Sequence, residues 1–262
     1  MSETALLSIA GQQLETRHIT VPNAFGTIVL LHEALGSVSH WRNFPDRLAE
    51  RCQRNVLVYS RLGHGQSEGP PAQRDRGYFK QQALEVLPAL LAAFTIERPV
   101  LLGHSEGAAI ALIYAAHHPQ NARALVLESP ILGAEPSTTA GMAMAERAWR
   151  ETDFRQRLAR HHRDADAVFA AWLSIRDSDS LLSWPLATHL PPIHCPILVL
   201  QGEHDEYATS LQADALRPLA PQMHAVRLAG MGHTPHREQP ELVLHEIEEF
   251  LLKLPGESPP TR

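Results

Sequence analysis

The sequence predicts an α/β fold: a mostly parallel, twisted sheet of about eight strands with helices on both faces. Three observations predict it. Short runs rich in Val, Ile and Leu recur along the chain, and stretches with apolar residues at helical spacing lie between them. The central runs are continuously apolar rather than alternating, which suits strands buried on both faces of a parallel sheet.

The elements follow in order. Residues 5–10 and 14–21, separated by Gly11-Gln12-Gln13, read as a hairpin of two edge strands. Further strands are expected at 27–31, 56–59, 99–102, 124–127, 197–200 and 225–228. Helical spacing occupies 41–52, 79–94 with a kink expected at Pro88, and 108–117. From about 133 to 190 no strand is expected, while 143–159 and 164–175 look helical and the region carries Trp149, Trp172 and Trp184. A helical segment inserted between two sheet strands reads as a cap, so the expected organisation is a core over 1–132, a cap over 133–190, the rest of the core over 191–254, and a flexible tail over 255–262.

Composition excludes several classes. With 44% hydrophobic and 20% charged residues, the 262-residue chain is neither disordered nor collagen-like, and it is long enough to bury a sizeable core. Its 23 basic and 29 acidic residues give a net charge of −6 without a basic block, so neither nucleic acid nor an anionic membrane is an expected partner. Cys52 and Cys195 lack the paired spacing of a zinc or redox site and read as free thiols in a reducing compartment. Residues 1–10 lack a basic stretch and a long apolar core, and the longest apolar run, 108–116, is too short to span a bilayer. A cytoplasmic monomer or homodimer is expected.

Chemistry concentrates at Gly103-His104-Ser105-Glu106-Gly107, which follows a strand run and opens an Ala-rich helix. In a strand–turn–helix setting such a serine occupies a strained position, its hydroxyl held above the sheet edge at a helix N-terminus that favours negative charge. A hydroxyl needs a positioned base, itself oriented by an acid. Asp205 lies just beyond the 197–200 strand, and His233 sits on the glycine-flanked loop Gly230-Met231-Gly232-His233. Any one of these residues alone reads as a solvated loop residue, but three correct loops in the order Ser105, Asp205, His233 point to nucleophilic catalysis.

On these motifs the sequence resembles the α/β-hydrolase fold serine hydrolases, over roughly 27–252. The likeness also includes Leu31-His32-Glu33-Ala34-Leu35-Gly36-Ser37, Ser60-Arg61-Leu62-Gly63-His64-Gly65-Gln66-Ser67 and the ending Gly232-His233-Thr234-Pro235-His236-Arg237-Glu238-Gln239-Pro240. The resemblance implies that the backbone N–H groups of Ala34 and Glu106 form an oxyanion hole. It also implies that His32 supports the loop around Ala34. His32, Glu33 and Trp172 are candidates for the pocket wall.

Two residues depart from the family pattern: Glu33 stands where glycine is usual, and Glu106 follows the serine where an uncharged residue is common. Either these carboxylates are paired and shape the loop, or one borders the pocket and selects a polar or cationic substrate portion. The chain holds 16 histidines, of which His161-His162 with Asp164 and Asp166 is the one cluster suggestive of a metal. It matches no dense ligand motif, so neither metal nor cofactor is expected.

The leading expectation is a serine hydrolase of a small carboxylic ester or thioester. Two alternatives stay open: a carbon–carbon bond hydrolase acting on a ring-cleavage diketone, and a non-catalytic ligand-binding protein on the same fold. An aspartate-nucleophile dehalogenase or epoxide hydrolase is disfavoured by Ser105.

Overall fold

A computed structural model describes residues 4–176 and 186–255. Eight strands form one sheet: β1 (Thr4–Ile9), β2 (Gln12–Ile19), β3 (Thr27–Leu31), β4 (Asn55–Tyr59), β5 (Val100–His104), β6 (Ala124–Glu128), β7 (Ile197–Gly202) and β8 (His224–Leu228), in the spatial order β1-β2-β4-β3-β5-β6-β7-β8. β1 pairs antiparallel with β2, and β2 with β4; every other pairing is parallel. The expected mostly parallel sheet with a terminal hairpin is therefore what the chain adopts.

Period-two alternation within the apolar strands sends side chains to two separate cores. Val29, Leu31, Leu57, Tyr59, Leu101, Leu125 and Leu127 face α2 (Arg76–Gln81), α3 (Leu87–Ala93) and α4 (Glu106–His117). Ile28, Leu30, Val56, Val58, Leu102 and Val126 face the opposite layer, where α1 (Phe44–Cys52) supplies Phe44 and Leu48 and α10 (Pro240–Leu252) supplies Val243, Leu244 and Ile247. Helix α4 is buried from Glu106 through Ala116, which explains its all-round apolar sequence.

Several local expectations shift. In the helical stretch around Pro88 a π-helical turn over Gln82–Val86 precedes the proline, with the Leu87 N–H donating to the Gln82 carbonyl. That wider turn absorbs the missing N–H and the ring of Pro88, which lies in the first turn of α3 where neither costs a bond. The helix expected over 143–159 is two: α5 (Pro136–Glu151) and α6 (Phe154–Ala159). Thr152 separates them, its N–H donating to the Ala148 carbonyl and its hydroxyl accepting from the Phe154 N–H. The next helix, α7 (Ala165–Leu173), starts at a side-chain cap from Asp164 to the Ala167 N–H, and α8 (Ser210–Leu216) and the short α9 (Pro235–Glu238) complete the set.

Between β6 and β7, α5 to α7 are attached to the sheet's loops by His162. Its Nδ1 accepts from the Gly65 N–H at 2.9 Å, so its Nε2 carries the proton and donates to the Leu35 carbonyl at 2.8 Å. The tryptophans here pack as well: Trp149 stacks on Phe169 with ring centroids 4.1 Å apart. Trp184 and most of the tail expected over 255–262 lie outside the described residues; Leu254, just before it, is buried. Among the described residues no helix is long and apolar enough to cross a membrane, and neither cysteine forms a disulfide.

Candidate active site

Ser105, Asp205 and His233 meet at the carboxyl ends of β5, β7 and β8. Ser105 joins β5 to α4 with φ 55° and ψ −115°, a left-handed conformation costly for a residue with a Cβ. Both flanking glycines are required by space. A Cβ on Gly103 would lie 2.4 Å from the Gly107 carbonyl oxygen, and one on Gly107 would lie 2.0 Å from that of Leu31. The strand and helix thus close on each other so tightly that the serine between them is forced outward.

The three side chains are hydrogen bonded in series. His233 Nδ1 lies 2.8 and 2.9 Å from the two Asp205 oxygens, and Nε2 lies 3.0 Å from Ser105 Oγ. A carboxylate only accepts, so Nδ1 carries the proton and Nε2 is left to accept from the serine hydroxyl. Asp205 is itself held by the Tyr207 and Ala208 N–H groups and by Gln201 Nε2. Burial opposes charge on both members of the pair. It is outweighed, and Asp205 is held below the usual carboxylate range while His233 is raised above an ordinary histidine, chiefly by their mutual hydrogen bond and then by their mutual charge.

A cavity of about 230 Å³ opens onto Ser105. Ile131, Met142, Phe154, Trp172, Ile175 and Tyr207 make its apolar wall, so the inserted helices shape it. Ala34 and Glu106, the residues nominated for backbone donation, line it beside Ser105, and so do Glu33 and Trp172. His32 is placed otherwise, behind the loop rather than in this wall. Its Nε2 accepts from the Arg61 N–H at 3.0 Å and its Nδ1–H donates to the Glu33 carbonyl at 2.7 Å, so both nitrogens are spent on holding the loop.

The two unusual carboxylates are both engaged. Glu33 accepts from the Leu35 N–H, which pins the loop that carries Ala34, and burial raises its pKa despite that bond. Glu106 Oε2 lies 3.2 Å from both Arg61 and Arg74, all three side chains almost fully buried. Its charge is therefore neutralised before it can oppose a developing oxyanion. Glu106→Ala would strand two buried guanidinium groups, and a loss of about 3–5 kcal/mol is expected in urea unfolding. An unchanged midpoint would show that the pair carries no such weight.

Glu206, Tyr207 and Glu128, which sequence reasoning did not single out, belong to the site, and so do His104 and His236, expected from the sequence to make loop hydrogen bonds around it. Glu206 accepts from the His233 N–H at 3.2 Å, and Tyr207 packs 4.8 Å from the His233 ring. Beneath the serine, His104 Nε2–H donates to the His233 carbonyl at 2.8 Å, while Glu128 accepts from the N–H and Nδ1–H of His236 at 2.6 and 2.7 Å. The available signal for Glu128 is slight: an acid ending an otherwise apolar strand run. Potential ligand atoms of His104, Glu128 and His236 lie within 4.8 Å of one another, but each makes one of these hydrogen bonds. The cluster suspected from sequence does not converge: His161 bonds Ser39, Asp164 caps α7, and Asp166 pairs with Arg155.

Comparison with known proteins agrees with this architecture. A family model described as alpha/beta hydrolase fold matches residues 26–167. A proline iminopeptidase of Lactobacillus delbrueckii subsp. bulgaricus is 31% identical over 109 residues, 41% of this chain and 37% of that protein, so the chain spans little more than a third of that relative's length. The 2-succinyl-6-hydroxy-2,4-cyclohexadiene-1-carboxylate synthase of Serratia proteamaculans is 28% identical, with 87% of this chain and 94% of that protein covered. A solved 2-hydroxy-6-oxo-6-phenylhexa-2,4-dienoate hydrolase of Rhodococcus sp. strain RHA1 shares the fold at a TM-score of 0.78 and 18% identity, covering 96% of this chain and 99% of that one. With more than half its length matched by the family model, the chain belongs to the α/β-hydrolase family.

Proposed function

We propose that this protein hydrolyses a small carboxylic ester or thioester through an acyl-enzyme on Ser105. The observation that carries the reading is the unbroken hydrogen-bond series from Ser105 through His233 to Asp205 on a strained turn facing a cavity. In this reading Ser105 Oγ attacks the carbonyl carbon while its proton passes to His233 Nε2. The carbonyl oxygen becomes an oxyanion between the Ala34 and Glu106 N–H groups, where loss of one donor typically costs about 3–4 kcal/mol. Collapse expels the alcohol or thiol, which takes the proton from His233. Water, deprotonated by His233, then attacks the acyl-enzyme and releases the acid and Ser105. Asp205 holds the imidazole tautomer and balances the imidazolium, and residues 133–190 act as the cap that shapes the acyl pocket.

The test is covalent labelling. A fluorophosphonate is expected to add once to Ser105, and Ser105→Ala is expected to lose the label and at least about 10³-fold of esterase kcat/KM. Folded wild-type protein that takes no label, or a Ser105→Ala variant that behaves identically, would overturn the reading. Including a ring-cleavage dienoate beside p-nitrophenyl esters tests the carbon–carbon alternative, which a faster dienoate turnover would favour.

A further inference from the structure

We propose that Arg237, backed by Arg42, forms an anion subsite at the mouth of the cavity and seats a carboxylate on the substrate while its ester carbonyl reaches Ser105. The inference rests on the hydrolase reading and names the substrate class within it: an ester with an acidic group a few bonds from the scissile carbonyl.

Arg61 and Arg74, whose shared partner Glu106 lines the same cavity, each lie 3.2 Å from that carboxylate. Among the described residues no carboxylate lies that close to Arg42 or Arg237. Arg237 lines the cavity together with Ser105, and it also lines the smaller pocket that adjoins it. Burial first, and then the positive charge of Arg42 within electrostatic reach, lowers the proton affinity of the Arg237 guanidinium. Neither arginine has a carboxylate within 4.0 Å among the described residues, so an anion bound at the Arg237 end of the cavity would add a favourable charge contact. In a chain of net charge −6 this basic rim is a local feature and not the general character of the surface.

Two acids that line the cavity already accept backbone hydrogen bonds. Glu33, which favours the charged state of Arg237, accepts from the Leu35 N–H through Oε2. Glu206 accepts from the His233 N–H. His40, which shares the cavity wall, is tied through Nδ1 to Ser37 Oγ, and burial first, then its neighbours His161, His162, Arg237 and Arg42, keep it uncharged. The cationic recognition is thus left to the arginines, whose planar forks suit a carboxylate better than a point charge would. Met142, Phe154, Trp172 and Ile175 leave an apolar wall for the connecting methylenes.

The experiment compares mono-p-nitrophenyl adipate with p-nitrophenyl hexanoate, each corrected for spontaneous hydrolysis. Wild type is expected to favour the adipate by about tenfold in kcat/KM, mainly through KM, with the preference shrinking as salt rises from about 0.05 to about 0.5 M. Arg237→Gln is expected to erase that preference, and Arg237→Lys to restore part of it. No preference in wild type, or one retained by Arg237→Gln, overturns the subsite. A second readout is independent of turnover: adipate dianion should raise the Tm of wild type and of Ser105→Ala but not of Arg237→Gln, and absence of the rise in wild type also overturns the proposal. Failure of the hydrolase reading looks different, because neither ester then turns over and Ser105 takes no fluorophosphonate.

Discussion

Asp205→Asn is expected to lower kcat for ester hydrolysis by about four orders of magnitude while leaving the fold in place. The carboxylate accepts from four donors: the Tyr207 and Ala208 N–H groups, Gln201 Nε2 and His233 Nδ1. An amide has one accepting oxygen, and the two backbone donors on Oδ1 claim it. Its NH₂ then faces Gln201 and His233, so Nδ1 must accept and the proton moves to Nε2, where it can no longer leave Ser105 activated. The loss should fall on kcat with KM nearly unchanged, since Asp205 does not line the cavity. Near-wild-type kcat in a folded Asp205→Asn protein would remove Asp205 from the mechanism.

Acid is expected to unfold the protein cooperatively between about pH 6.5 and pH 4. Burial depresses His162 to about 4, His104 to about 3 and His40 to about 2, each chiefly by desolvation of the charged ring. His32 and His64 are depressed in the same direction, by burial and by the arginines beside them. These five are neutral in the native state and titrate near 6.5 when unfolded, so below that pH the unfolded chain binds more protons and stability falls. Each fully charged histidine costs about 1.4 kcal/mol per pH unit, so five approach about 7 kcal/mol per unit against a total stability of about 5–15 kcal/mol. His233, raised by Asp205, acts in the opposite sense but is one group, and the lowered carboxylates Asp205 and Glu128 release their contribution at still lower pH. Far-ultraviolet circular dichroism against pH, with proton uptake on unfolding, measures this. A protein still native at pH 4 would sink the prediction.

The histidines show where sequence reading stops. Their abundance is visible in composition, but burial of His32, His64 and His104 depends on loops brought together across the sheet. His162 becomes the tie between the inserted helices and the Leu35 loop through partners 97 and 127 residues away, which no local pattern marks. Pro88 makes the same point at short range: the residue signals a disturbance, but no local pattern marks the π-helical turn over Gln82–Val86 that precedes it.

What the sequence by itself determined is the part governed by local chemistry. Apolar runs with turn residues between them specified the eight strands, and Gly103 and Gly107 marked the turn at Ser105 because only glycine clears the backbone on each side. Chain order then placed Asp205 and His233 at neighbouring strand ends. Only the tertiary structure decided what surrounds them. The neutralisation of Glu106 by Arg61 and Arg74, the buried Glu128–His236 pair and the unpaired Arg237 at the cavity mouth all depend on charges converging from distant segments. Electrostatic pairing acts through space and leaves no periodic trace along the chain, whereas burial on a strand or helix writes its period into the residues themselves.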